Sequence, residues 1–270
     1  MEDDVYVPKP VDSFSGEDPF VRMAKVRGQS KEIAFDETYP YLDKSLRFRI
    51  QHAICYAALW TIAFPVNRIR YGLKIKGRSK VFKNRKLLRG GAMTVCNHVF
   101  RWDMICVLQA IRFRKSWIPM YALPFTGKDS IFMKSIGGIP IPENRAGLKC
   151  FNEAMNEIRE RKEWIHIFPE SCSWKYYSPI RPFKIGPFNM AYKYGMPILP
   201  CVISFRERTG IYKLFGSTDE PLVTISIGDP IVPDKDKPRK EESEHMRKLA
   251  HKTMERMAGI ISNPWPSAID

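Results

Sequence analysis

The sequence predicts an α/β protein: a mixed, largely parallel sheet covered by helices on both faces, with an N-terminal membrane-associating helix. Three observations carry this reading. Short apolar runs that end on polar or turn residues recur along the chain and read as buried strands. Segments with apolar residues three and four apart alternate with them and read as amphipathic helices. A nearly uncharged stretch, "HAICYAALWTIAFPV" at 52–66, stands before the alternation begins. At 270 residues and 44% hydrophobic content, one domain can hold the whole core.

Residues 1–40 are polar and Pro-containing, and read as an extended arm. The acidic start "MEDDVYVPKPVDSF" is unlike a secretory signal peptide. Residues 41–78 form the expected membrane-associating segment, with a helix from Asp43 to Phe64 that stops at Pro65. Its apolar run is shorter than the roughly 20 residues needed to span a bilayer. Lys44, Arg47 and Arg49 precede it, and Arg68, Arg70, Lys74 and Lys76 follow. That pattern suits a helix lying in or dipping into an anionic interface, with a buried core helix as the alternative.

The main domain is placed at 79–262, with a tail at 263–270. "GAMTVCNH" (91–98) reads as a buried strand, "MICVLQAIRF" (104–113) as a helix and Ser116–Leu123 as a second strand. "AGLKCFNEAMNEIRERKE" (146–163) is a clear helix: Asn144 is its N-cap, and Leu148, Phe151, Met155 and Ile158 share one face. "WIHIF" is a strand, "PESCSW" a turn, and "NMAYKYG" a short helix ending at Gly195. "MPILPCVISF" and "LVTISIGDPIV" are further strands. The last helix, within 238–261, has Met246, Leu249, Thr253 and Met257 on one face.

Lys and Arg number 44 against 29 Asp and Glu, a surplus of 15. Such a balance favours an anionic partner: a phospholipid surface, nucleic acid or a phosphate-bearing substrate. No helix-turn-helix, zinc-finger or ribonucleoprotein pattern supports nucleic acid. The six cysteines show no C-x-x-C spacing and suit a reducing compartment better than a disulfide framework. His52, His245 and His251 have no partners at ligand spacing, so no metal site is assigned. His166 reads as a residue packed in the sheet.

"CNHVFRWD" (96–103) places His98 where a strand gives way to a loop, with Asp103 five residues on. On a continuous helix the two side chains would point about 140° apart. A turn after His98, with a helix starting near Asp103, lets the carboxylate fold back on the imidazole. Asp103 would then fix the tautomer, leaving the other ring nitrogen to take a proton from a hydroxyl.

With "GGIPI" (137–141), "FPES" (168–171) and "RPFKIGPFNMAYKYGMPILPCVI" (181–203), this block resembles the membrane-associated glycerolipid acyltransferase family, typified by 1-acylglycerol-3-phosphate acyltransferases. The resemblance covers about residues 90 to 205 and marks 79–262 as the acyltransferase domain. It implies acyl transfer from an acyl thioester, acyl-CoA or acyl-carrier protein, to the hydroxyl of a lysophospholipid. No cofactor is implied. His98 would act as general base, Asp103 would orient it, and Glu170 would hydrogen-bond the acceptor. Amides near the "FPES" turn would stabilise the oxyanion. Asn97, Ser171 and Ser173 are expected beside the substrate by their motif positions.

Two departures concern the acceptor. The family's third block continues Gly-Thr-Arg-Ser, and Ser173 stands at the arginine position. The Asp-Arg expected after "GGIPI" appears as Pro142-Glu143, with Arg145 two places late. Arg101, Lys128, Lys134, Arg145 and Lys184 are the cations that would grip an acceptor phosphate instead. Lysophosphatidic acid is the favoured acceptor. A hydrolase using the same His-Asp pair, with Cys172 as a thiol nucleophile, and a non-catalytic basic module binding lipid or nucleic acid are the alternatives. An anionic membrane surface on the cytoplasmic side, with peripheral or monotopic attachment, is the expected location.

Overall fold

A computed structural model describes residues 6–9, 14, 16–22, 33–112, 114–217 and 219–268. The rest of the arm at 1–40 and the end of the tail at 263–270 lie outside the described residues.

The sheet has seven strands: β1 (Lys74–Lys76), β2 (Met93–Val95), β3 (Ser116–Tyr121), β4 (Gly138–Ile141), β5 (Trp164–Ile167), β6 (Ile198–Arg206) and β7 (Leu222–Ile227). Their order is β1-β7-β6-β2-β5-β3-β4. The five strands from β6 to β4 are mutually parallel; β7 runs antiparallel to β6, and β1 parallel to β7. The sheet is therefore mixed and largely parallel, as the alternation predicted.

Residue alternation divides the core between the two faces. On β6, Leu199, Cys201 and Ile203 join one cluster with Cys106 and Leu108 of α5 (Asp103–Ile111). Ile198 and Val202 join the other, with Met155 of α7 (Arg145–Glu160), Phe188 of α8 (Gly186–Tyr194) and Met254 of α9 (Arg239–Ala258). The inner strands β2, β5, β6 and β7 are buried on both sides because helices cover both.

Before β1 the chain forms α1 (Leu46–Ala58), a π turn (Leu59–Ala63) and α2 (Phe64–Ile69). The helix does not stop at Pro65. In the π turn the Phe64 amide donates five residues back, to the Leu59 carbonyl. That wider turn places Pro65 in the first turn of α2, where a missing N–H breaks no bond. Sheet structure also begins earlier than expected, since β1 lies inside 41–78. A three-residue "KIK" strand is too short to show alternation.

Four short helices and turns also escape periodicity: α3 (Arg78–Lys83), α4 (Arg85–Leu88), α6 (Ser130–Ser135) and a 3-10 turn at Gly210–Leu214. On α7 the N-cap is as read, with Asn144 Oδ1 accepting the Gly147 amide at 2.7 Å. Its Leu148 faces solvent, however, while Ala154 is buried beside Phe151, Met155 and Ile158. The buried face of α9 is Met246, Ala250 and Met254, so Leu249 and Thr253 lie off it. Gly91, with φ +93°, enters β2 where a Cβ would stand 2.7 Å from the Glu163 carbonyl. A side chain there would push β2 off its partner.

Candidate active site

β2 runs out at Val95, and the next three residues set the site. Asn97 is wholly buried; its Oδ1 accepts the Ile203 amide at 2.8 Å and its Nδ2 donates to the Ile203 carbonyl at 2.9 Å. Both ends of the amide thus clamp the loop to β6. Asn97 holds the strand end rather than meeting a ligand, which corrects the expectation placed on it.

His98 leaves this clamp at the C-terminal edge of the parallel strands, the edge where α/β sheets present ligand sites. The chain turns, and α5 begins at Asp103. Asp103 Oδ2 lies 2.5 Å from His98 Nδ1, and Oδ1 accepts the Met104 amide at 2.7 Å. The carboxylate sits in the first turn of a helix, where the backbone dipole favours its negative charge. A carboxylate only accepts, so Nδ1 carries the hydrogen and Nε2 presents a lone pair. Asp103 is 3% exposed and His98 27%. Among the described residues no protein group bonds Nε2. The ring packs flat on Phe168, centroids 4.1 Å apart, which fixes its plane.

Glu170 is also placed differently from expectation. Its carboxylate is fully buried: Oε2 accepts the His98 amide and the Arg181 Nη2 at 2.9 Å each, and Oε1 accepts the Arg181 amide at 2.9 Å. Arg181 is equally buried, lies 4.5 Å over the Trp174 ring, and donates to the Pro19 carbonyl at 2.8 Å and to the Cys172 carbonyl. With every oxygen committed inside the protein, Glu170 reaches no acceptor. It anchors the backbone of His98 from behind. Sequence reasoning missed Arg181, although it directly precedes "PFKIG"; it pairs with Glu170, 11 residues away, and reaches Pro19, 162 residues away.

Three of the turn's amides are likewise taken. Ser171 N–H donates to the Phe168 carbonyl, Cys172 N–H to Glu170 and Trp174 N–H to the His98 carbonyl. These three amides are therefore not offered to an oxyanion. Ser171 adopts φ +64° and is exposed; Ser173 is partly buried. Cys172 is buried, with its Sγ against the Phe20 and Val21 carbonyls, so it offers no nucleophile to solvent.

Of the candidate phosphate cations, Arg101, Lys128, Arg145 and Lys184 are exposed and follow the C-terminal ends of their strands. Arg101 lies in the loop between His98 and Asp103, beside Trp102. Lys184 flanks the "FPES" turn: its amide donates to Pro169, and its Nζ lies 3.5 Å over the Phe20 ring. Lys128 follows β3, and Arg145 opens α7 after β4. β4 is three strands from β2, about 14 Å at ~4.8 Å per strand, so Arg145 stands at the outer rim. Lys134 lies against the Tyr39 ring instead.

His166 pairs with Thr94 across β2 and β5, its Nδ1 2.8 Å from Thr94 Oγ1. Burial, with a smaller contribution from nearby His98, pushes its pKa down to about 3. It packs in the sheet, as read.

Residues 74–204 match the family model described as Acyltransferase, a segment containing His98, Asp103, Glu170 and Arg181. The chain is 26% identical over 178 residues to the Caenorhabditis elegans protein acl-1, which its name assigns provisionally to the 1-acyl-sn-glycerol-3-phosphate acyltransferases. That match covers 64% of this chain and 62% of the relative's length. The fold is similar to the crystal structure of the 1-acyl-sn-glycerophosphate (LPA) acyltransferase PlsC from Thermotoga maritima. The TM-score is 0.53 at 17% identity, covering 83% of this chain and 87% of that one.

Proposed function

We propose that this chain, with its acyltransferase-family segment at 74–204, is an O-acyltransferase that moves a fatty acyl group from an acyl thioester to a lysophospholipid hydroxyl. The observation that carries this reading is the His98–Asp103 pair: Nδ1 held by a buried carboxylate, Nε2 open at the sheet's C-terminal edge. Nε2 takes the proton of the acceptor hydroxyl as its oxygen attacks the thioester carbonyl. The tetrahedral intermediate collapses with cleavage of the C–S bond, and the imidazolium returns the proton to the leaving thiolate. Asp103 stabilises that imidazolium and keeps its hydrogen on Nδ1. The acceptor itself is the nucleophile, so no acyl-enzyme is needed.

The favoured acceptor is 1-acylglycerol-3-phosphate, giving phosphatidic acid. Arg101, three residues from His98 in the same loop, and Lys184, beside the "FPES" turn, would meet a phosphate next to the reacting hydroxyl. Lys128 and Arg145 would add longer-range attraction. The donor is acyl-CoA or acyl-carrier protein, which share the thioester this chemistry requires.

We place the enzyme on a membrane surface. Among the described residues no helix is long and apolar enough to cross a bilayer. Between Arg49 and Arg68, however, the solvent-facing side of α1, the π turn and α2 carries no charged side chain: Ile50, Ile54, Ile62 and Val66 are all exposed. Thr61, on the same side, spends its hydroxyl on the Ala57 carbonyl. A face from Ile50 to Val66 without a charged side chain is what shallow insertion needs, and basic ends suit an anionic leaflet.

The test is labelled acyl-CoA with and without lysophosphatidic acid, lysophosphatidylcholine or monoacylglycerol. Thioester loss that depends on an acceptor, largest with lysophosphatidic acid, is expected. Acceptor-independent loss would make the protein a hydrolase.

A further inference from the structure

The helical face just described does not stand alone. Three large apolar side chains, Ile211, Leu214 and Phe215, project from the loop joining β6 to β7, and Leu214 is 81% exposed. A soluble surface rarely concentrates such residues in five positions. At the other end, α6 offers Ile131 and Phe132 to solvent.

Each group is fastened to the helix whose outer face is apolar. Arg208 is buried and bridges the two loops, with Nη1 donating to the Arg70 carbonyl at 2.9 Å and to the Tyr212 carbonyl at 2.8 Å. The Tyr212 ring closes on Gly72, just past α2, so tightly that a Cβ on Gly72 would meet it at 3.1 Å. On α6, Gln51 of α1 donates to Ser135 Oγ at 2.5 Å and to the Ile131 carbonyl at 3.3 Å, and His52 Nδ1 lies 2.8 Å from the Ser135 carbonyl. Both groups are thus held by polar bonds beneath them while their apolar side chains remain outside.

Topology adds a functional direction. β6 runs parallel to β2, so the loop after Arg206 emerges at the same sheet edge as His98. β1 runs against β2, so the α2–β1 junction reaches that edge too. Tyr71 of this junction meets Phe100 of the catalytic loop edge-on, centroids 5.1 Å apart.

We infer that the β6–β7 loop and α6 are two further lipid-contact elements, one at each end of α1–α2, and that the loop seats the sheet edge carrying His98 against an anionic bilayer. The inference rests on the membrane reading above. Lipid is favoured over a second protein copy by charge. Arg68, Lys74, Lys76 and Lys213 are exposed around the loop end, against Glu207 and Asp219, with Glu220 neutralised by Arg70 at 3.2 Å. Arg47 and Arg49 are exposed at the start of α1. Two copies meeting through this face would bring those cations together.

The test uses the full chain and co-sedimentation with vesicles of phosphatidylcholine containing phosphatidylglycerol. Ile211→Asp/Leu214→Asp and, separately, Ile131→Asp should each weaken vesicle binding by about tenfold or more, as burying a large apolar side chain contributes that much. Turnover of a short-chain lysolipid below its micelle concentration should stay within about twofold of wild type. If Ile54→Asp/Ile62→Asp loses binding while the loop and α6 variants keep it, the inference is wrong and the membrane reading stands. If the wild type ignores vesicles, both fail. A wild-type dimer that the loop variant turns into a monomer would assign the face to a second copy and overturn the inference.

Discussion

Asp103 and Glu170 are both buried carboxylates, each paired with a nitrogen base within one stretch of sheet edge. Asp103 meets His98, whose second nitrogen opens outward; Glu170 meets Arg181, which is as dry as itself. In the first pair one partner keeps a free lone pair at the surface, so the pair can take and return a proton. In the second, both carboxylate oxygens accept from the interior and nothing is left over. The residue types alone do not separate a pair able to move a proton from a scaffold; the second nitrogen does. The two are also joined, because Glu170 accepts the amide of His98 itself.

The comparison breaks most visibly at His98. His98→Ala should lower turnover by ~10²–10⁴ while leaving the fold intact, as expected for a lost general base. Asp103→Asn should be of similar severity, since an amide no longer holds the tautomer. Steady-state rates beside a circular dichroism spectrum check both; near-normal turnover in His98→Ala would remove the mechanism.

Glu170→Gln should fail in the other currency, stability. Removing one partner of a buried ion pair costs about 3–5 kcal/mol, read as a shift in the urea midpoint. Replacing both, as Glu170→Leu with Arg181→Met, should recover much of that stability yet leave turnover reduced, because the His98 amide is still unheld. Full recovery of turnover would mean that the pair supports the fold and does not position His98.

The contrast between a dry base and a wet one also predicts a pH effect. His166 stays neutral in the fold because its pKa is held near 3, while the unfolded chain binds a proton below about 6.5. The unfolded state therefore gains protons first, and stability falls as pH drops from about 6.5 towards 3, by about 1.4 kcal/mol per pH unit for one proton. His52 and His251 are shifted the same way by burial and steepen the wild-type slope. His166→Gln should remove one proton's share between pH 6.5 and 5. Equal slopes in denaturation series for variant and wild type would contradict the assignment.

The smallest effects belong to the rim. Arg101→Ala should raise the KM for a phosphate acceptor several-fold, and Arg145→Ala less, since Arg145 stands three strands from His98's strand. Neither should change the KM for the thioester donor much. A larger effect at Arg145 would reverse the placement of the phosphate.

Sequence by itself determined the parts of this protein that depend on local periodicity and short-range chemistry. Buried strands, the α7 cap at Asn144, the Gly195 stop and the turn between His98 and Asp103 all follow from residues a few positions apart. Only tertiary structure decided matters of distant pairing. Asn97 and Glu170 carry motif positions but are used up by Ile203 and Arg181, partners 106 and 11 residues away. The "KIK" strand exists because β7 lies beside it, and the helix passes Pro65 because a π turn resets its register. Exposure itself, which makes Leu214 a surface feature and Leu222 a core residue, is a property of what packs nearby. Hydrophobicity along the chain says that a side chain prefers to leave water; whether a neighbour exists to receive it is settled only when the chain has folded.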